Sequence, residues 1–343
     1  MTSHARLRTI TDDLHIWSPQ PSTGWGMANC GLLSPRRGRT AAWIDSPYDR
    51  ARALEFLELG RPLLAEGARI DRVIVTHGNG DHLWGAEVVP EAEVIATRET
   101  LGHIDHEPDP AQLHALVHGI DPDTVLGWYL RRSFGRFDWS GTEVRRPGTV
   151  FTGELELQVG DIPVHLIALP PAHTAGDLLV HLPQQGTVFT GDVVFAHTAD
   201  QPGDHPVHWA GPLAGVVSAC ERALATGAST FVPGHGPILD REGVRGHIGY
   251  LEYVRERAHR LHTAGVPALE AACRVIAEQR HPGMSLPERL VVTIATEYRH
   301  LEGGGGLPDM LATVSQVAQV AWELEHPGLP TPRAAEQPSA DRP

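Results

Sequence analysis

The chain has 343 residues, 41% of them hydrophobic and 20% charged, with 42 acidic side chains against 28 basic ones and a net charge of −14. This is the balance of a folded globular protein with a sizeable core, and it excludes a basic surface for nucleic acid. Every basic side chain other than histidine is arginine, which also excludes Schiff-base chemistry on lysine. No stretch approaches the roughly 18 to 20 uninterrupted apolar residues of a membrane span. The polar start, Met1 to Thr11, lacks the apolar core of a secretion signal. The expectation is a cytoplasmic protein without a membrane partner. Cys30, Cys220 and Cys273 are too scattered for a disulfide framework or a thiolate zinc site, and are expected to pack as small hydrophobes. Histidine is the unusual count, at 21, and points to imidazole and carboxylate metal chemistry.

In chain order, short apolar runs of strand length are each closed by polar or glycine-rich punctuation. Ala41 to Ile44 ends in Asp45, and Arg72 to Val75 ends in Thr76-His77. Val164 to Leu169 leads into Pro170-Pro171-Ala172-His173, Thr187 to Thr190 into Gly191-Asp192, and Thr230 to Val232 into Pro233-Gly234-His235. Helical patterns, such as Ala51 to Leu59 and Leu213 to Leu224, lie between several of them. The alternation predicts an α/β fold. Strands closing in a histidine or aspartate place distant residues at one sheet edge, where α/β folds build their sites. After about Asp240 the pattern becomes helical: Val244 to His262, Pro267 to Glu278, Pro287 to His300 and Pro308 to Leu324, with a flexible connection at Gly303 to Gly306. The expected organisation is a catalytic domain over residues 1–240, a helical extension over 241–325, and a Pro/Ala/Ser-rich disordered tail over 326–343.

The densest chemistry lies in His77-Gly78-Asn79-Gly80-Asp81-His82, with two imidazoles, a carboxylate and an amide in six positions. The glycines are expected to fold the backbone tightly enough for alternate side chains to face one point. A polar loop is the plain alternative for such a hexad taken alone. His173, Asp192 and His235 at other strand ends turn the balance towards a metal site.

With these four segments the sequence resembles the metallo-β-lactamase superfamily, whose pattern is H-x-H-x-D-H followed by a His, an Asp and a His. The resemblance covers roughly residues 10 to 240. It implies an αββα four-layer sandwich with the helical part appended. It implies a first metal site at His77, Asn79 and His173, a second at Asp81, His82 and His235, and Asp192 bridging both, with Asp81 and Asp192 as the catalytic carboxylates. The reaction implied is attack by a metal-bound hydroxide, formed because a bound metal brings the pKa of water to about 7. Asn79 stands where the family has its second histidine. An amide oxygen is a weaker zinc ligand than an imidazole nitrogen, so the first site is expected to be weakened. Three outcomes stay open: two Zn2+ ions with a poorer first site, one ion in the second site, or manganese or iron in place of zinc.

Segments outside the hexad resemble the actinobacterial cyclase/thioesterases of type II polyketide pathways: Trp25 to Leu32, Phe137 to Pro147, Gly211 to Ala219, and the starts of the helices at Pro267 and Pro287. This resemblance implies hydrolysis of an acyl thioester and an intramolecular aldol closure. It also implies a small-molecule substrate, carrier-protein-bound acyl chains being one form; the oligomeric state stays open, a homodimer being one alternative. A candidate substrate wall holds His103, His106, His114, His118, Trp128, Tyr129, Phe134 and Trp139; core aromatics and a solvated helix are the competing reading. His197, Asp200, Asp204, His205 and His208 are expected on a polar surface loop, with proton shuttling as the alternative. Asp45 is either a carboxylate that orients a ligand histidine or a helix N-cap. The rival functions are a general lactone, ester or glyoxalase-type thioester hydrolase, an iron-dependent redox enzyme on the same fold, and a scaffold protein with a decayed metal site.

Overall fold

The computed structural model describes residues 6–304 and 309–329. Pro308, part of the glycine connection and the tail from residue 330 on lie outside the described residues. Two β-sheets face each other. The first has seven strands in chain order: Arg6–Thr11, Leu14–Ser18, Cys30–Leu33, Thr40–Ile44, Arg69–Ile74, Glu93–Thr97 and Thr149–Phe151. Its first four strands are antiparallel, and from Thr40–Ile44 onwards neighbours run parallel. The second sheet has five strands, ordered Thr230–His235, Thr187–Phe195, Leu178–Leu182, Ile162–Ala168 and Glu154–Val159. Only its first pair is parallel, and helix Leu213–Ala225 makes that crossover.

Strand side chains alternate between two cores. In Thr40–Ile44, Ala42 and Ile44 enter the core between the sheets, where they join Leu166, Val180 and Phe189 of the second sheet. Ala41 and Trp43 enter the outer core, where Trp43 stacks on Phe56 of helix Arg50–Gly60 at 4.6 Å. A strand buried on both faces reads as a continuous apolar run, and this is the pattern of the parallel half of the sheet. Helices covering both outer faces complete the four-layer αββα sandwich. Each fully buried Leu, Ile or Phe side chain contributes about 1.5–3 kcal/mol to holding these layers.

Strand Thr187–Phe195 runs further than the sequence pattern suggested, so Asp192 lies inside it and not at its end; its register with Thr230–His235 shifts at Gly191. The C-terminal helices are Arg241–Thr263, Ala268–Ala277, Leu290–Leu301 and Met310–Glu325. Pro267 is an N-cap and not a first-turn residue, and Pro287 opens a separate 3-10 turn, Pro287–Arg289. Asp309 caps the last helix by accepting the Ala312 amide at 3.0 Å. Helix Arg241–Thr263 packs on helix Leu213–Ala225 and on strands Thr187–Phe195 and Thr230–His235; Met310–Glu325 packs on helix Val125–Phe134. Gly203–Asp204 pairs in parallel with Met284–Ser285, stitching the chain after Asp192 to this helical part.

Two buried histidines tie the helical part to acid sensitivity. His247 donates from Nε2 to the Val193 carbonyl at 3.2 Å, and His205 sits 2.7 Å from the Tyr250 hydroxyl. Burial lowers each from the ordinary 6.5 to about 4. Both are neutral in the fold and take up protons on unfolding. Their folded values are depressed, so the stability they contribute is complete above about pH 6.5 and is lost as pH falls towards 4. His247→Gln, which keeps an amide donor, is therefore expected to lose about 1–3 kcal/mol less than the wild type between pH 7 and 4.5. Urea denaturation at both pH values checks this; equal losses would remove His247 as a source.

Candidate metal centre

Strand Arg69–Ile74 delivers His77 just past its end, and Asn79 stands at the N-cap position, without a capping side-chain bond, of the one-turn helix Gly80–Leu83 that carries Asp81 and His82. The glycines of this turn are required by close packing and not by left-handed backbone: neither has a positive φ. A Cβ on Gly78 would meet His103 at 2.8 Å, and one on Gly80 the Trp84 indole at 2.5 Å. On the second sheet a Cβ on Gly234 would fall 1.8 Å from Asp192 Oδ1, so only glycine lets strand Thr230–His235 lie beside that carboxylate. His173 sits on a turn closed by Asp177, which accepts from Thr174 N and Oγ1 at 3.0 and 2.6 Å.

Asp192 is the hub. Its Oδ1 lies 3.1 Å from His82 Nε2, and its Oδ2 lies 3.5 Å from His173 Nε2 and 3.3 Å from His235 Nε2. Asp81 Oδ2 lies 3.4 Å from His235 Nε2. The rings of His77 and His82 are 4.1 Å apart, and those of His77 and His173 are 4.8 Å apart.

The far ring nitrogens fix which atom faces the centre. His82 Nδ1 is 2.8 Å from Asp45 Oδ2, so that N–H donates to the carboxylate. Asp45 also accepts the Thr76 amide at 2.7 Å and the Thr76 hydroxyl at 2.8 Å. With its hydrogen given to Asp45, the Thr76 hydroxyl oxygen accepts from His77 Nδ1 at 3.1 Å. His173 Nδ1 donates to the Val207 carbonyl at 2.7 Å. These bonds turn Nε2 of all three rings towards the centre. Asp45 thus orients a site histidine; the nearby helix N-cap is Asp49.

The residues fit a cation. His77 Nε2, His82 Nε2 and Asp192 Oδ1 are buried without a hydrogen-bond partner. Ligand atoms of His77, His82 and Asp192 lie within 4.8 Å of one another, as do those of Asp81, His82 and His235. Converging buried lone pairs with nothing to donate to them suit a metal ion. Burial pushes His77 well below the ordinary histidine range, which keeps it neutral. Burial would raise Asp192, but His235 and His82 hold it well below the usual carboxylate range.

Asn79 enters this centre through its oxygen. Asn79 Oδ1 lies 2.7 Å from His173 Nε2, and Nδ2 faces away, donating to Glu107 Oε1 and lying 3.1 Å from His103 Nε2. His103 Nε2 is itself 2.9 Å from Glu107 Oε1. His103 figured in the sequence only as substrate wall, and Glu107 carried no signal: it follows helix Arg98–Ile104 in an irregular segment, outside any periodic pattern.

The chain is similar to known proteins. The model of the metallo-beta-lactamase superfamily matches residues 23–235. The chain belongs to this superfamily. "Uncharacterized protein Rv2581c" of Mycobacterium tuberculosis is 26% identical over 220 residues, covering 61% of this chain and 85% of the relative, and "Uncharacterized protein Mb2612c" of Mycobacterium bovis matches equally. Among solved structures, a metallo-beta-lactamase from Pontibacter korlensis superposes with a TM-score of 0.52 at 17% identity, covering 72% of this chain and 99% of that one. The metallo-beta-lactamase FIM-1 from Pseudomonas aeruginosa, in its mono-zinc form, gives 0.50 at 17% identity, covering 73% and 95%. At these identities the likeness is one of fold.

Superfamily members are typically metal-dependent hydrolases, and here the centre opens on a cavity of about 350 Å3. Asn79, Asp81, His173, Asp192 and His235 form its polar end. The rest is mostly apolar, with Trp25, Leu130, Phe134, Phe195, Val292 and Val314 among its walls, and Glu107 and Arg289 as further charged members of the lining. Of the expected substrate wall, Tyr129 and Phe134 line this cavity. Trp128 packs instead on Trp322 at 5.1 Å, and Trp139 is buried with its Nε1 on the Tyr48 carbonyl. His106 is exposed, and His114 and His118 face each other at 4.4 Å on helix Pro110–Gly119. The expected surface loop divides: His197 and Asp200 are exposed, whereas Asp204, His205 and His208 are buried because the strand pair with Met284–Ser285 draws them under the helices. Among the described residues no helix is long and apolar enough to cross a membrane.

Asp45→Asn keeps the shape but loses the charge behind His82. It is expected to weaken metal binding about 10- to 100-fold. Competition with a chromophoric chelator measures it, and an unchanged affinity would remove Asp45 from the centre.

Proposed function

We propose that the chain is a metal-dependent hydrolase of thioesters or esters carrying a bulky apolar acyl group. The observation that carries this reading is a histidine and carboxylate cluster opening directly into an apolar chamber. His77, Asn79 and His173 would hold a first ion, Asp81, His82 and His235 a second, and Asp192 would touch both. Bound there, one or two divalent ions supply an activated water at neutral pH and polarise the scissile carbonyl. Zinc is the first choice; the amide oxygen of Asn79 also suits manganese or iron.

The residues of the chain do the rest. Asp81, with 13% of its side chain exposed, borders the chamber and is placed to orient water and take its proton. The chamber walls exclude bulk solvent and hold the acyl group against the centre. A small polar thioester, as a glyoxalase-type hydrolase would take, leaves such walls unsatisfied. A folded aromatic polyketide chain would fill them, which supports the finer reading of a cyclase/thioesterase of secondary metabolism, with delivery on a carrier protein.

Metal-loaded protein assayed on a series of acyl thioesters tests this. kcat/KM should rise about three- to fourfold per added methylene until the chamber is full, given about 0.8 kcal/mol per buried CH2. Val314→Trp, which fills the chamber, should raise KM at least tenfold for the largest acyl groups and leave the acetyl thioester unchanged. Absence of hydrolysis with zinc, manganese and iron would sink the proposal, and oxygen consumption by the iron form would replace it with a redox enzyme.

A further inference from the structure

We propose that Glu107, with His103, is a positioning residue that converts Asn79 into a metal ligand by fixing which end of its amide faces the centre. This rests on the reading of a first metal site, not on the identity of the substrate. An asparagine amide presents an oxygen that can bind a cation and an NH2 group that cannot. The torsion that exchanges them is soft and roughly two-fold, so the side chain alone does not choose. An ionised carboxylate only accepts hydrogen bonds. Glu107 Oε1 receives the Asn79 Nδ2 donor and stands 2.9 Å from His103 Nε2, whose N–H it also accepts. With the NH2 end committed to Glu107, Asn79 Oδ1 is turned to the other side, 2.7 Å from His173 Nε2. His173 Nε2 is the ring nitrogen turned inward by the bond from Nδ1 to the Val207 carbonyl, and Asp192 Oδ2 is 3.5 Å from it.

The arrangement matches one on the other side of the centre. There Asp45 takes the outward N–H of His82 and sends its lone pair inward. Glu107 does for an amide what Asp45 does for an imidazole. A charge-assisted bond at the NH2 end also draws electron density to the amide oxygen and strengthens it as a ligand. The expected weakness of Asn79 is thereby offset by a residue 28 positions away in the chain. The close approach of His103 that completes this brace needs Gly78, whose Cβ would meet the ring at 2.8 Å.

The test is a double-substitution cycle read by zinc ions bound per chain in equilibrium dialysis, with the absorption of the cobalt-loaded protein as a second signal. In the wild type two ions are expected. Glu107→Gln should weaken the first-site ion about tenfold and leave the other unchanged. In an Asn79→Asp background the ligand no longer has an end to choose and is itself a carboxylate facing Glu107. There, Glu107→Gln should strengthen first-site binding, reversing sign. Far-UV circular dichroism and thermal unfolding of the metal-free variants separate this from loss of fold, which would act in one direction in both backgrounds. Wild-type stoichiometry in Glu107→Gln, the same direction of change in both backgrounds, or a wild type that binds one ion would each overturn the proposal. The predicted reversal in a protein without esterase activity would leave this inference standing and overturn the hydrolase reading.

Discussion

An ionised carboxylate held inside a strand is the constraint on which the rest of the molecule turns. Asp192 is 5% exposed and lies mid-strand in Thr187–Phe195. A charge so placed costs several kcal/mol unless the surroundings answer it. Nε2 of His82, His173 and His235 approaches within 3.1 to 3.5 Å, and the charge is answered by the cation that these atoms would share with it. They arrive on three chain segments that only the facing of two sheets brings together. Gly234 and the register shift at Gly191 are the local backbone adjustments that make room for the carboxylate between the last two strands.

Around this hub the structure repeatedly bonds the outward side of a ligand to free its inward side. Asp45, Thr76 and the Val207 carbonyl take the Nδ1 hydrogens of His82, His77 and His173. Each bond settles a tautomer and a ring angle at once, so the lone pairs converge before any ion arrives. Preorganisation of this kind explains why His77 Nε2, His82 Nε2 and Asp192 Oδ1 are buried without a hydrogen-bond partner.

The helical C-terminal part gives the centre its surroundings. Val292 and Val314 come from its last two helices and close the chamber against Leu130 and Phe134 of helix Val125–Phe134. The short strand pair Gly203–Asp204 with Met284–Ser285 anchors that cover to the segment following Asp192. The same pairing buries His205 and His208, which a composition-based reading leaves on the surface.

The sequence alone determined the α/β fold class, the four segments that meet at the candidate metal centre, Asp45 as a candidate partner and the helical change of character after residue 240. These are written locally: ligand chemistry demands particular residue types, and strand and helix periods show through any window of chain. Only the tertiary structure decided that Asp192 is inside a strand, that Trp128 and Trp139 belong to packing while Phe134 faces the chamber, and that Glu107 stands behind Asn79. None of these has a period or a motif. They depend on which atoms meet across the fold, and the direction of an amide is set by a carboxylate that the sequence places in an irregular segment with nothing to mark it.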